Sequence, residues 1–182
     1  MRRSGYSLRV LLICSMMCAL SIVLGKYLAF NIGSFIRISG ENLPILFSGL
    51  AFGPLAGISV GVVADLVGCL LVGYEVNPII TAGAGVIGFL AGTVGILARR
   101  VKLPLRIALA VLICHALGSV IIKSVGLSLY YGMPFGVTAL WRGLNYLLVG
   151  CVECFLLWAL LSNSAIRKWT RDFSRWEKQK EE

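Results

Sequence analysis

The chain has 182 residues, 58% of them hydrophobic and 14% charged, with a mean hydropathy of +0.89. Soluble domains of this length carry roughly a quarter charged residues, so a soluble globular fold is excluded. The net charge of +9 does not mark a nucleic-acid binder: the basic residues gather at the start, in one short loop and in the tail, a pattern that orients membrane helices and meets anionic headgroups.

Six apolar runs follow in chain order. The first, Leu8–Leu28, lies behind Arg2, Arg3 and Arg9 as in a signal peptide. Its length of about 20 residues suits a spanning helix, and no small-x-small cleavage site follows it, so an uncleaved first helix is expected. Ser15 and Ala19 form a small-xxx-small pair on it, which suits internal packing and an intermolecular face equally. The second run, Leu43–Phe52, is half the usual spanning length. It reads either as a short helix of its own or, with Leu55–Val72, as one helix kinked at Gly53-Pro54. The third run carries Gly57, Gly61 and Gly68, and the fourth, Ile79–Ala98, carries Gly85, Gly88, Gly92 and Gly95. Small residues at this spacing let membrane helices approach closely, because lipid supplies no hydrophobic drive for association. Ile107–Leu127 and Ala139–Leu161 complete the set.

Charge decides between five spans and six. With the N-terminus inside and six spans, 13 of the 17 Lys+Arg become cytoplasmic: three at the start, four in Arg99, Arg100, Lys102 and Arg106, and six in the tail. The positive-inside rule favours that arrangement. The expected architecture is therefore all-α, a membrane bundle of six helices over residues 1–165 with the second short, tilted or partly re-entrant. Residues 166–182 form a basic cytoplasmic tail, amphipathic or frayed, so both termini are expected inside.

The charges outside those cytoplasmic groups are Lys26, Arg37, Glu41, Asp65, Glu75, Lys123, Arg142 and Glu153. Long cations near helix ends often only snorkel to the interface, and Lys26 and Lys123 taken singly read equally well that way. Arg37 and Arg142 are harder to dismiss, and four cations on the poorly charged side suit an anionic ligand arriving from outside. Asp65 lies ten residues into its run, about 15 Å deep at 1.5 Å per residue. A carboxylate there is costly and normally faces the bundle interior with a partner; Gly57 and Gly61 share its face and leave room beside it. Arg142, Asn145 or Tyr146, Val149 and Glu153 share a face of the last helix. Arg142 can hold a carboxylate through two parallel N–H bonds, while Glu153, deeper, suits an internal ion pair. Aromatics such as Tyr27, Tyr74, Tyr130 and Trp141 border the outer loops, partly as an interfacial belt. With the cations they also suit a flat, anionic, heteroaromatic ligand.

Catalytic signatures are missing from the chain. No phosphate-binding G-x-x-x-x-G-K-[ST], no G-x-S-x-G and no H-E-x-x-H is present, and His115 is the lone histidine. All six cysteines fall in apolar runs, so Cys151-x-x-Cys154 reads as buried thiols before a metal or redox site. No cofactor is expected.

The stretch Arg37-Ile38, Leu43-Pro44-Ile45, Phe52-Gly53-Pro54-Leu55-Ala56-Gly57, Gly61, Ala64-Asp65-Leu66-Val67-Gly68, and later Trp141-Arg142-Gly143-Leu144-Asn145, resembles the S components of energy-coupling factor (ECF) vitamin transporters, folate family. The F-G-P-x-x-G and D-L-x-G segments carry the folate likeness; the rest is common to S components, and the whole covers nearly all of the chain except the tail. The resemblance implies a non-enzymatic subunit of the cell membrane that captures folate from outside and works with a membrane-embedded T subunit and two cytoplasmic ATPases. It implies that the first helix meets the T subunit at Ser15 and Ala19, where the family typically has an A-x-x-x-A pair, and that the loaded subunit topples to release vitamin inside. Asp65 and Asn77 suit the N–H donors of a pterin, Tyr74 could stack on its ring, and Arg37, Lys123 and Arg142 suit the glutamate carboxylates, with Asn145 alongside. The outer loop Gly73-Tyr74-Glu75-Val76-Asn77-Pro78 lacks the Gly expected after its Pro. Other vitamins (riboflavin, a thiamine precursor, biotin, a queuosine precursor), a small lipid-directed membrane enzyme and a purely structural subunit are the alternatives.

Overall fold

The computed structural model describes residues 8–32, 36–164 and 166. Six helical bodies make up nearly all of it: α1 (Leu8–Tyr27), α2 (Asn42–Phe52), α3 (Pro54–Val72), α4 (Pro78–Leu97), α5 (Leu103–Tyr131) and α6 (Phe135–Ser162). Five are long and apolar enough to cross a membrane, and α2, with 11 residues, is the short one. The all-helical architecture and the short second helix match the sequence expectation. The basic tail lies outside the described residues.

The kinked-helix alternative for Leu43–Val72 does not hold. Gly53 takes a φ of +93°, a conformation that a side chain would strain. Pro54 then opens α3 in its first turn, where its missing N–H leaves nothing unsatisfied. The chain doubles back so closely that a Cβ on Gly57 would strike the backbone of Gly49. α4 packs against both arms of this hairpin, and its contact with α3 is the most extensive in the molecule. There the glycine pattern acts as expected: a Cβ on Gly57 would collide with the Gly88 backbone, and one on Gly88 with Gly57. The space that Gly61 and Gly57 leave on the Asp65 face is taken by the α4 backbone at Ala84 and Gly88.

Two features were not anticipated. A hairpin of β1 (Phe30–Ile32) and β2 (Ile36–Ile38) joins α1 to α2, with Asn31 opposite Arg37. α1 and α5 also each contain a π-wound segment, at Val23–Tyr27 and His115–Ile122. Such widened turns recur at functional sites, and here they carry Lys26 and lead into Lys123. Alternation of the helices gathers the described residues of 28–41 and the connections 73–77 and 132–134 at one end of the bundle. The α2–α3 turn and the basic loop lie at the other. An apolar core containing Val10, Phe52, Ile107 and Leu157 closes that second end, while residues such as Leu12, Leu70, Leu112 and Leu148 cover the outside.

Candidate substrate site

At the end that bears the hairpin, charged side chains from α1, α3, α5 and the start of α2 converge. Lys26, in the last turn of α1, places Nζ 3.7 Å from Asp65 Oδ1. It also donates to Cys69 Sγ at 3.4 Å and stands 5.8 Å from the centre of the Tyr74 ring, within cation–π range. The other oxygen of Asp65 accepts from Thr81 Oγ1 at 2.7 Å, so α3 and α4, already held together by their glycines, present one polar pair. Lys123 of α5 is 3% exposed and donates to Glu41 Oε1 at 2.8 Å. Glu41 is steadied in turn by α1: its carbonyl accepts from Ser21 Oγ at 2.6 Å, and a Cβ on Gly25 would come within 2.7 Å of its own.

Lys26, Glu41, Asp65 and Lys123 line a small cavity together with Ile45 and Ala84. Its space for a water's centre is about 10 Å³, room for roughly one molecule. Two cations and two carboxylates leave it neutral, as a low-dielectric setting demands: an unpaired charge there costs several kcal/mol. The described form is therefore closed and electrostatically satisfied.

A second polar network adjoins it between α5, α6 and α2. Arg142 Nε donates to the Ser119 carbonyl at 2.9 Å, and its Nη2 reaches the Tyr146 hydroxyl at 3.5 Å. Asn42 Nδ2 reaches that hydroxyl too, at 3.5 Å. The Tyr146 ring stacks on His115 with centroids 4.4 Å apart, and His115 bonds Ser119 Oγ on one side and Glu153 Oε2 on the other. Arg142 and Tyr146 lie within electrostatic range of Lys123, which joins the two networks. The Ser119–His115–Glu153 line has the connectivity of a hydrolytic triad. Ser119, however, is wholly buried, and the cavity walls do not include it, so no electrophile can reach its hydroxyl.

The residues anticipated from sequence distribute as follows. Asp65 and Lys123 line the cavity, and Arg142 borders it through Lys123. Tyr74 is half exposed at the rim beneath Lys26. Asn77 is buried and fully engaged: its Oδ1 caps α4 by accepting from Ile79 N and Ile80 N, and its Nδ2 donates to the Gly126 carbonyl. Asn145 is buried on α6. The Arg37 side chain lies outside the described residues. Ser15 and Ala19 lie on the exposed face of α1 and are not part of the cavity lining. Sequence reasoning left Lys26, Glu41 and Thr81 out of the site. Lys26 looked like a snorkelling end residue, and a lone Thr in an apolar run gives no signal. Glu41 could have been found, since an acid directly before a helix start on the cation-rich side calls for a partner.

Fold and composition together define a multi-pass helical membrane protein with a charged side-chain cluster at one end of the bundle. The family model for the substrate-specific component of ECF transporters matches residues 9–166, and the chain belongs to that family. It is thus a substrate-binding subunit of a transporter and not an enzyme. Among solved structures it is similar to a FolT bound with folic acid, with 24% identity over 83% of this chain and 91% of that one and a TM-score of 0.68. It is also similar to the S component of a bacterial ECF transporter (21%, covering 85% and 94%, TM-score 0.62) and to an S component for biotin (19%, covering 90% and 91%, TM-score 0.61). No curated protein sequence matches the chain.

Proposed function

We propose that the chain captures folate from outside the cell and delivers it inward with an ECF T subunit and two ATPases. The observation that carries this reading is the meeting of a carboxylate, Asp65, and a buried cation, Lys123, on the walls of one cavity. A folate has complementary ends: adjacent N–H donors on the pterin for Asp65, and two glutamate carboxylates for Lys123 and Arg142. Tyr74 at the rim offers a face on which the pterin can stack. Likeness to a folic-acid-bound FolT supports the choice. Biotin, with a single carboxylate and its own structural counterpart, is the second reading.

A cavity for one water does not admit a vitamin, so binding requires the hairpin side of the bundle to open. Orientation follows from charge: with the basic loop and the tail in the cytoplasm, the site faces outward and both termini lie inside. Ser15 and Ala19, exposed on α1, are the proposed seat of the T subunit, where small residues permit close helix approach. Uptake of radiolabelled folic acid tests the whole assignment. Cells making this chain with a T subunit and both ATPases should accumulate label, and cells lacking any of the partners should not. Accumulation without partners, or of biotin in place of folate, would replace the reading.

A further inference from the structure

We infer that Glu41 is an internal substitute for a ligand carboxylate, holding Lys123 until the ligand displaces it. The inference rests on the reading that the ligand is carboxylated, as folate is. Lys123, Lys26, Glu41 and Asp65 form two ion pairs of mostly buried side chains around one small pocket. Lys123 Nζ is held by Glu41 at 2.8 Å and Lys26 Nζ by Asp65 at 3.7 Å, so a ligand carboxylate gains either lysine only by displacing its resident partner, and the geometry says which one yields. Asp65 sits inside α3, bonded to Thr81 and paired with Lys26, with its side chain 11% exposed. Glu41 stands at the N-cap of α2, where the helix meets the hairpin connection. Its side chain is 21% exposed, against 4% for Lys123 and 8% for Lys26, so it has the shortest route to water.

Lys123 then exchanges one carboxylate for another, and the cluster stays neutral throughout. Glu41 becomes a specificity-determining residue. A ligand without a carboxylate leaves the Lys123–Glu41 bond in place and gains nothing from Lys123, while a carboxylated ligand takes that bond from Glu41. The exchange also frees the connection between the hairpin and α2, whose last residue Glu41 is.

The test is calorimetric titration of the purified full-length chain with folic acid and with its diamide, in which both tail carboxylates are amides. In Glu41→Gln the resident competitor is neutral, so folic acid should bind about tenfold more tightly than to the wild type, and the diamide should not move. Glu41→Asp, with a shorter reach and its charge kept, should fall between the two and carries the test if Glu41→Gln does not fold. Weaker folic acid binding by Glu41→Gln, or an equal gain for both ligands, would overturn the exchange. If the wild type binds no folic acid, the folate assignment fails on its own. Biotin and biotinamide titrated into the same variants then decide: a gain confined to biotin keeps the exchange, and no gain or no binding overturns it.

Discussion

Replacing Asp65 by asparagine preserves the side chain's shape and removes its charge. In the free protein the loss falls on Lys26, whose Nζ lies 3.7 Å from Oδ1 and whose side chain is 8% exposed. Stranding one partner of a fully buried ion pair costs about 3–5 kcal/mol. Lys26 keeps Cys69 Sγ and the Tyr74 face and sits in the last turn of α1, so about 1–2 kcal/mol is the proper scale here, a fall in Tm of about 2–8 °C for a chain of this size. Binding suffers more. A charge-assisted bond from the pterin N–H groups contributes about 1.5–3 kcal/mol, and the amide turns an N–H towards a donor, so folic acid affinity should drop about 10–100-fold. Lys26→Ala leaves Asp65 its charge and its bond to Thr81 and should cost less than about tenfold. Thermal unfolding and folic acid titration of both variants provide the readout. A larger affinity loss for Lys26→Ala than for Asp65→Asn would refute Asp65 as the pterin acceptor.

Gly88→Ala should destabilise the chain by about 3 kcal/mol, the upper end of the overpacking range, because its Cβ meets the Gly57 backbone; Gly143→Ala, with nothing within 4 Å, is the control, and equal melting temperatures would contradict the close α3–α4 contact. Glu153→Ala should cost about 3 kcal/mol by stranding buried His115, while a double-mutant cycle with His115→Ala should show a coupling of about 1–3 kcal/mol; additive losses in thermal melts would mean that the pair does not interact. In intact cells, a cysteine replacing Glu75 should react with a membrane-impermeant thiol reagent, and one replacing Lys102 should not. The reverse pattern would invert the topology and the direction of transport with it.

The bundle was legible because spanning runs and the positive-inside bias are properties of local sequence. α2 was the hard element: an 11-residue helix has no spanning signal, and only the charge count argued for a separate body, which Gly53 then supplies. α5 ran past its apolar stretch to Leu103 and Tyr131, since a helix continues through Lys123 and Ser124 once their polar groups find partners inside the bundle. Asp65 announced itself by its depth. Its partner did not, for the Lys26–Asp65 pair joins residues on different helices whose rotation sequence periodicity does not set. The same holds for Lys123 with Glu41 and His115 with Glu153. Asn77 shows the opposite case: a polar residue beside a proline at a helix start suits a cap as well as a ligand contact, and here its side chain caps α4 and ties it to α5.

The most direct test of the central claim is calorimetric titration of the detergent-purified chain alone with folic acid, with riboflavin, thiamine and biotin alongside. Tight one-to-one binding of folic acid and silence from the other three are expected. A folded chain that leaves folic acid unbound, or that prefers another of these vitamins, would contradict that claim.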